Sequence, residues 1–256
     1  MRSLPSDDRG WFDLLLSNQA PLWRLLSDSC GGHTYEDGDI RAAIVPQSPN
    51  RSFFNSVFYE DPERLVAALP ALARAYDEVG VNAWTVWIPE SDDVARSGLG
   101  AAGHKLDGEP RAMALELSEL RVPDTDPALE IREEPDMEAL RLINETAYGH
   151  PPGDFPPMSP MPGTDVFLAD LAGETVGTVV TWDRGLDCEI TFVATLQSAR
   201  GRGVARRLLA HALGRAHERG VRATTLISSP LGFPVYTALG YREVGGLQMW
   251  ERRKPA

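Results

Sequence analysis

Residues 198–209 read SARGRGVARRLL and bring Arg200, Arg202, Arg206 and Arg207 together with Gly201 and Gly203, in a chain of 256 residues whose formal net charge is −12. The chemistry these residue types offer is anion binding. A strand that passes through a glycine turn into a helix exposes unpaired N–H groups at the positive end of the helix dipole. Glycine has no Cβ to keep an anion off the backbone, and guanidinium groups add charge-assisted donors suited to phosphate oxygens. A pyrophosphate is the natural guest; the plainer alternative is that the arginines form a solvated helix face. The pattern lacks the third glycine of a dinucleotide fingerprint and the Gly-Lys-Ser/Thr ending of an NTPase loop.

The elements around this stretch follow from periodicity. Met137, Leu140, Ile143 and Ala147 recur at helical spacing behind Asp136, a candidate N-cap. DVFLADLAGETVGTVVTWD predicts two strands around Ala172-Gly173-Glu174, and CEITFVAT predicts a third. After the glycine turn, Val204, Leu208, Ala212, Leu213 and Ala216 line one face of a helix that Gly220 ends. RATTLISS is strand-like, FPVYTALG a short helix, and YREVGGLQMWER closes the chain as strand.

The first half repeats this order in part. Leu65, Leu69, Leu72, Tyr76 and Val79 predict a helix, followed by the strand-like NAWTVWIPE. Gly80-Val81-Asn82-Ala83 returns 140 residues later as Gly220-Val221-Arg222-Ala223, and Gly103-His104-Lys105 resembles Gly240-Tyr241-Arg242. The expectation is a diverged duplication joined by RVPDTDPA, residues 121–128.

A composition of 43% hydrophobic and 24% charged residues suits a globular protein long enough for two modest domains or one large one. The apolar runs fall short of the roughly 18 residues of a membrane span, and the N-terminus reads as the start of a folded domain. A cytoplasmic protein that binds neither membrane nor nucleic acid is expected, since an acidic chain does not displace counterions from phosphates. Cys30 and Cys188 read as free thiols, and the five histidines lack metal-ligand spacing, so no metal is predicted.

Arg200-Gly201-Arg202-Gly203-Val204-Ala205 resembles the R/Q-x-x-G-x-G/A signature of the GNAT superfamily of N-acetyltransferases. Tyr236-Thr237-Ala238-Leu239-Gly240-Tyr241 is similar to that family's Y-x-x-x-G-F/Y ending. The resemblance spans residues 129–252 and implies a mixed α/β fold, a mostly antiparallel sheet with flanking helices. It places acetyl-CoA, or another acyl-CoA, with its pyrophosphate on Arg200, Gly201, Arg202, Gly203, Val204, Ala205 and Arg206. The pantetheine arm would lie along Val193, Ala194 and Thr195, with the Val193 N–H polarising the thioester carbonyl. Ser228 and Ser229 stand where many relatives carry an asparagine, leaving Ser229 as the candidate contact.

Transfer of an acyl group to an amine needs a neutral amine, a stabilised oxyanion and a proton for the leaving thiolate. By the same resemblance Glu189 is the candidate base and Tyr236 the candidate proton donor; alternatively they are an ordinary strand carboxylate and a core aromatic. Cys188 reads as a core thiol. The loop from His150 to Gly163, with Phe155, Met158 and Met161, is either a wall of the acceptor site or a surface connection. In the first half the corresponding stretch is YEDPERL, whose acids would repel pyrophosphate. The expected organisation is therefore two GNAT-like domains in tandem, a degenerate one over 1–122 and a catalytic one over 128–256, pairing within a monomer as two subunits would. The predicted activity is acyl-CoA-dependent N-acylation of a primary amine on a small molecule or peptide by direct transfer. The alternatives are a noncatalytic acyl-CoA sensor or partner-binding protein, and a nucleotide-binding regulator.

Overall fold

A computed structural model describes residues 3–124 and 128–254. In chain order it contains α1 (Asp8–Ser29), β1 (His33–Asp37), β2 (Ile40–Ile44), β3 (Ser56–Phe58), α2 (Pro62–Glu78), β4 (Ala83–Pro89), α3 (Asp93–Ala101), β5 (Lys105–Gly108) and β6 (Arg111–Glu116). There follow β7 (Leu129–Glu133), α4 (Met137–Ala147), β8 (Thr164–Leu171), β9 (Glu174–Arg184), β10 (Asp187–Thr195), α5 (Val204–Glu218), β11 (Ala223–Ser228), α6 (Phe233–Leu239) and β12 (Arg242–Arg253).

These elements form two compact units. One, here the cradle unit, takes residues up to Leu15, Arg111–Gly153 and Pro160–Val244; the companion unit takes Leu16–Pro110, Asp154–Ser159 and the chain from Gly245. Within the cradle unit β7, β8, β9 and β10 pair antiparallel in succession, β11 joins β10 in parallel, and β6 closes antiparallel on β11. Within the companion unit β1, β2 and β3 are antiparallel, β3 and β4 are parallel, and β12 runs antiparallel to β4 from Leu247↔Pro89 to Arg253↔Ala83. Residues 245–253, which the sequence assigns to the C-terminal domain, thus complete the other unit's sheet, and β6, from the first half, completes the cradle unit's. Residues 125–127 of the expected linker lie outside the described residues.

Local sequence explains the helices. Asp136 caps α4 by accepting from the Ala139 N–H at 2.9 Å, and Asp61 caps α2 through the N–H groups of Glu63 and Arg64, with Pro62 in the first turn. The α5 face formed by Leu208, Ala212, Leu213 and Ala216 is fully buried on Cys188, Ile190 and Leu226 of the sheet. Val79 departs from expectation: it is the C-cap of α2 and exposed. A 3₁₀ turn at Ser52–Phe54 leads into β3.

The two Gly-Val joins close in the same way. Gly80 and Gly220 adopt φ of +77° and +93°. The N–H groups of Asn82 and Ala83 both donate to Pro49 O (2.7 and 3.0 Å), as those of Arg222 and Ala223 do to Leu186 O (both 3.0 Å). Trp84 and Trp87 are core residues of the companion unit, Trp84 stacked on Tyr76 at 4.9 Å. Among the described residues no helix is long and apolar enough to cross a membrane.

His104 supplies a pH prediction. Its ring is buried edge-on against Trp84 at 4.6 Å, and neither ring nitrogen has a hydrogen-bond partner. Burial, with the nearby Arg252 charge, pushes its pKa down to about 4. The folded state therefore excludes a proton that the unfolded chain takes up below its own value near 6.5. This part of the stability is fully present above pH 6.5 and is lost as the pH falls toward 4, by about 3 kcal/mol at about 1.4 kcal/mol per unit. Denaturant titrations of His104→Leu across pH 4–7 should show a shallower acid loss than wild type, and equal slopes would refute the assignment.

Candidate active site

The centre of the cradle unit is a fork in its sheet. β10 and β11 pair only from Asp187↔Ala223 to Ile190↔Leu226, although β10 continues to Thr195 and β11 to Ser228. Past Ile190, β10 stays on β9 but its register shifts between Thr191 and Ala194. The bulge carries Phe192 at φ +50°, a left-handed conformation unusual outside glycine. Thr178 holds it, donating from Oγ1 to Phe192 O at 2.8 Å, and Asn144 ties Thr178 to α4 at 2.9 Å while donating to Leu140 O at 2.8 Å. Thr178→Val should leave Phe192 O and Asn144 without that partner and cost about 1–3 kcal/mol, read as a lower denaturant midpoint. A change under about 0.5 kcal/mol would mean that the bulge holds itself.

Beyond β10 the chain turns through Gly201 and Gly203, both at φ +77°, into α5. Gly203 is the N-cap and has no side chain to satisfy the first N–H groups of the helix. A cavity of about 300 Å³ opens there, lined by Val122, Pro123, Asp124, Gly203, Arg206 and Arg207. Ala205 is half-buried, whereas Val204 is buried, its Cγ1 3.0 Å from where a Cβ on Gly177 would stand.

The arginines divide by role. Arg200 donates to Ala147 O at 2.7 Å and to Thr195 O at 3.3 Å, so its side chain fastens the end of α4 to the end of β10 instead of facing the cavity as expected. Arg207 donates to Asp124 O and Arg202 O at 2.8 and 2.6 Å. The side chains of Arg202, which is exposed, and Arg206, with the backbone from Gly201 to Arg206, are what remains to meet an anion. Ala194 and Thr195 are in register with Thr178 and Gly177 of β9. Val193 lies in the bulge, and its carbonyl accepts from the Tyr148 hydroxyl at 2.9 Å. Ser229 turns the chain into α6, its Oγ accepting from the Gly232 N–H at 3.2 Å, while the buried Ser228 hydroxyl donates to Ser229 O at 2.9 Å.

The two candidate catalytic side chains belong to this unit. Glu189 is 2% exposed, one residue before the last pair of β10 with β11, with Oε2 accepting from the Thr225 hydroxyl at 2.9 Å. Tyr236 is buried on α6, edge-on to Tyr241 at 5.6 Å, in space that a Cβ on Gly232 would fill, 2.8 Å from its Cε2. Burial, reinforced by Tyr148, raises the Tyr236 pKa above the usual phenol value, so the hydroxyl keeps its proton. Burial also pushes the Cys188 thiol well above its usual value and Cys30 up to about 12. Neither is a nucleophile at neutral pH. Among the described residues no group of three or more His, Cys, Asp or Glu is placed to hold a metal.

Two expectations about loops change. Asp154–Ser159 of the proline-rich loop belongs to the companion unit: Phe155 is buried edge-on against Phe54 at 5.0 Å, Asp154 pairs with Arg51, and Asp154 O accepts from Ser48 at 2.7 Å. Phe155 is thus a core residue. At the N-terminus of α2, where Gly203 stands for α5, the N-cap is Asp61, and Asp39 Oδ2 takes the N–H groups of Glu60 and Asp61 at 3.0 and 2.7 Å. Burial pushes the Asp39 carboxyl up, but those N–H groups and Arg64 outweigh it and hold it below the usual range. The companion unit fills its own anion nest with a carboxylate. Sequence reasoning did not reach Tyr148, Thr178, Asn144 or Thr225, whose roles depend on cross-strand register.

Residues 158–251 match the family model described as an acetyltransferase (GNAT) domain. No curated protein matches the chain. Among solved structures it is similar to a GCN5-related N-acetyltransferase from Kribbella flavida, at 18% identity and TM-score 0.69, over 93% of this chain and 95% of that one. A GCN5-related N-acetyltransferase from Sphaerobacter thermophilus is 21% identical, TM-score 0.60, over 85% and 78%. A tandem GNAT protein from the clavulanic acid biosynthesis pathway is 15% identical, TM-score 0.57, over 85% and 79%. At these identities the likeness is one of fold: a mixed α/β, mostly antiparallel GNAT-like architecture.

Proposed function

We propose that the protein is an acyl-CoA-dependent N-acyltransferase in which only the cradle unit holds the cosubstrate. The observation that carries this reading is the conjunction, in one unit, of a fork opening past Ile190 and a helix N-terminus capped by glycine. The α5 turn, from Gly201 to Arg206, suits a pyrophosphate, and the bulged edge from Val193 to Thr195 suits a chain of amides. There the Val193 N–H polarises the thioester carbonyl, Glu189 takes the proton from the acceptor amine, and Tyr236 returns one to the departing thiolate. The amine nitrogen bonds to the carbonyl carbon as the carbon–sulfur bond breaks, with no covalent enzyme intermediate. Asp39 and Asp61 support a companion unit closed to CoA, in keeping with a diverged second copy.

Calorimetric titration of acetyl-CoA should give one equivalent bound, and a panel of primary amines with thiol release as readout should then yield an acceptor. No binding, with or without other nucleotides, would overturn the proposal, and two equivalents would overturn the silent companion unit.

Tyr148 adds a refinement. An acyl-CoA arm pairing with the edge of β10 must displace the Tyr148 hydroxyl from Val193 O. A hydrogen bond of about 0.5–1.5 kcal/mol net makes Tyr148→Phe bind acetyl-CoA about 2–10-fold tighter. Weaker binding would instead make the hydroxyl a ligand contact.

A further inference from the structure

The face of the cradle sheet that carries Glu189 also carries a cation held by an aromatic ring. Directly opposed residues of an antiparallel pair project from the same face, so Trp182, opposite Glu189, and Arg184, opposite Asp187, stand on the Glu189 side. Asp183, between them, points the other way and pairs with Arg219 at the C-cap of α5. Arg184 is exposed and makes no ion pair among the described residues; its guanidinium lies 4.9 Å from the centre of the Trp182 ring.

That contact sets the charge over a π face instead of against an oxygen, and a guanidinium fork so held is suited to meet a carboxylate or phosphate bidentately. The indole adds a second donor. Trp182 is 7% exposed, and its Nε1–H has no acceptor among the described residues. Gly163, at φ +75°, puts no side chain on that edge of the ring, where a Cβ would stand 3.8 Å from Nε1. An indole N–H only donates, so both groups beside Glu189 call for an oxygen acceptor. Cross-strand Cβ atoms are about 5 Å apart, which brings these donors within one small molecule's length of the Glu189 carboxylate.

We infer that Trp182 and Arg184 form the anion-binding end of the acceptor site, so that the amine acylated also carries a carboxylate or phosphate a few bonds from its nitrogen. Arg184 pairs with that group, the Trp182 N–H orients it, and the nitrogen is thereby presented to Glu189. The role in acceptor choice rests on the acyltransferase reading proposed above; the anion site does not.

The test pairs L-amino acids with their amides, and phosphoethanolamine with ethanolamine. Each is offered to wild type and Arg184→Gln as an acceptor, read by thiol release from acetyl-CoA, and as a ligand of the protein alone, read by calorimetry. Wild type should favour the anionic member of at least one pair by about tenfold in kcat/KM, the low end for a hydrogen bond to a charged group, and the pair that responds tells carboxylate from phosphate. In Arg184→Gln that preference should vanish through a rise in KM. Equal use of both members of every pair by wild type overturns the inference without any variant, and so does a preference that survives in Arg184→Gln. Neither binding nor turnover of any member overturns it too. Arg184-dependent binding of an anionic amine by a protein that does not bind acetyl-CoA sinks the acyltransferase reading and leaves the anion site; turnover with no preference does the reverse.

Discussion

Gly203→Glu is expected to abolish acetyl-CoA binding while leaving the fold in place. Gly203 sits at φ +77°, and a Cβ there would lie 3.1 Å from the Arg207 Nη1, so the new carboxylate enters the cavity shared with Arg206 and Arg207. It becomes an internal substitute for the phosphate. A like charge about 4 Å from a bound phosphate, at an effective dielectric of about 20, costs about 4 kcal/mol, or about 1,000-fold in affinity. The folding cost is small by comparison. A left-handed non-glycine residue loses about 1–2 kcal/mol, and an acid at a helix N-terminus regains about 0.3–1 kcal/mol. Calorimetry should therefore show no heat of binding in a variant whose thermal midpoint has moved only a few degrees. Gly220→Ala, at the other end of α5, is the control: φ there is +93° and a Cβ meets nothing within 4 Å, so it carries the backbone strain without touching the cradle and should bind within about tenfold of wild type. Unchanged binding by Gly203→Glu would remove the α5 N-terminus from the site.

The companion unit makes a natural version of the same experiment. Asp61 caps α2 and Asp39 occupies the amides of Glu60 and Asp61, so the positive end of that helix is already neutralised by the chain itself. In YEDPERL the acids were legible as repulsive to pyrophosphate. Asp39 was not, because it reaches that helix from the turn between β1 and β2, 21 residues upstream of Glu60.

That contrast describes what this sequence discloses. Features set by neighbours along the chain were readable: the Asp136 cap, the periodic faces of α2, α4 and α5, the Gly220 stop of α5, and the strand order around the glycine turn. Helix α1 was not, since Pro21 interrupts its pattern and its buried residues are split between the two units. Strand register and side-chain targets were not either. Arg200 looked like a phosphate ligand by type, but two carbonyls at the ends of β10 and α4 lie within its reach. The pairing of β12 with β4, across 247–253, has no local signature: an alternating strand fits either open sheet edge, and only register decides. Glu189 was found by resemblance, whereas its partner Thr225 emerges only when β10 and β11 are laid side by side.

Tyr236→Phe is expected to lower turnover about 100-fold near neutral pH, at the low end of what a positioned general acid contributes, with acetyl-CoA affinity unchanged. The substitution keeps the ring, so the edge-on contact with Tyr241 and the space left by Gly232 persist, and only the hydroxyl is lost. Because burial raises the pKa of this phenol, wild type keeps its donor throughout the neutral range. The leaving group sets the sign of the pH dependence. An ordinary thiol titrates near 8.5, so below that value the departing sulfur gains from receiving a proton, and above it the thiolate is stable without one. The deficit of Tyr236→Phe should therefore be largest at low pH and shrink as the pH rises through about 8.5. Rates of thiol release measured for both proteins between pH 6.5 and 9.5, on an amine found in the panel, decide the matter. A deficit that is constant with pH would mean the hydroxyl only orients the thioester, and a deficit under threefold would return Tyr236 to the core.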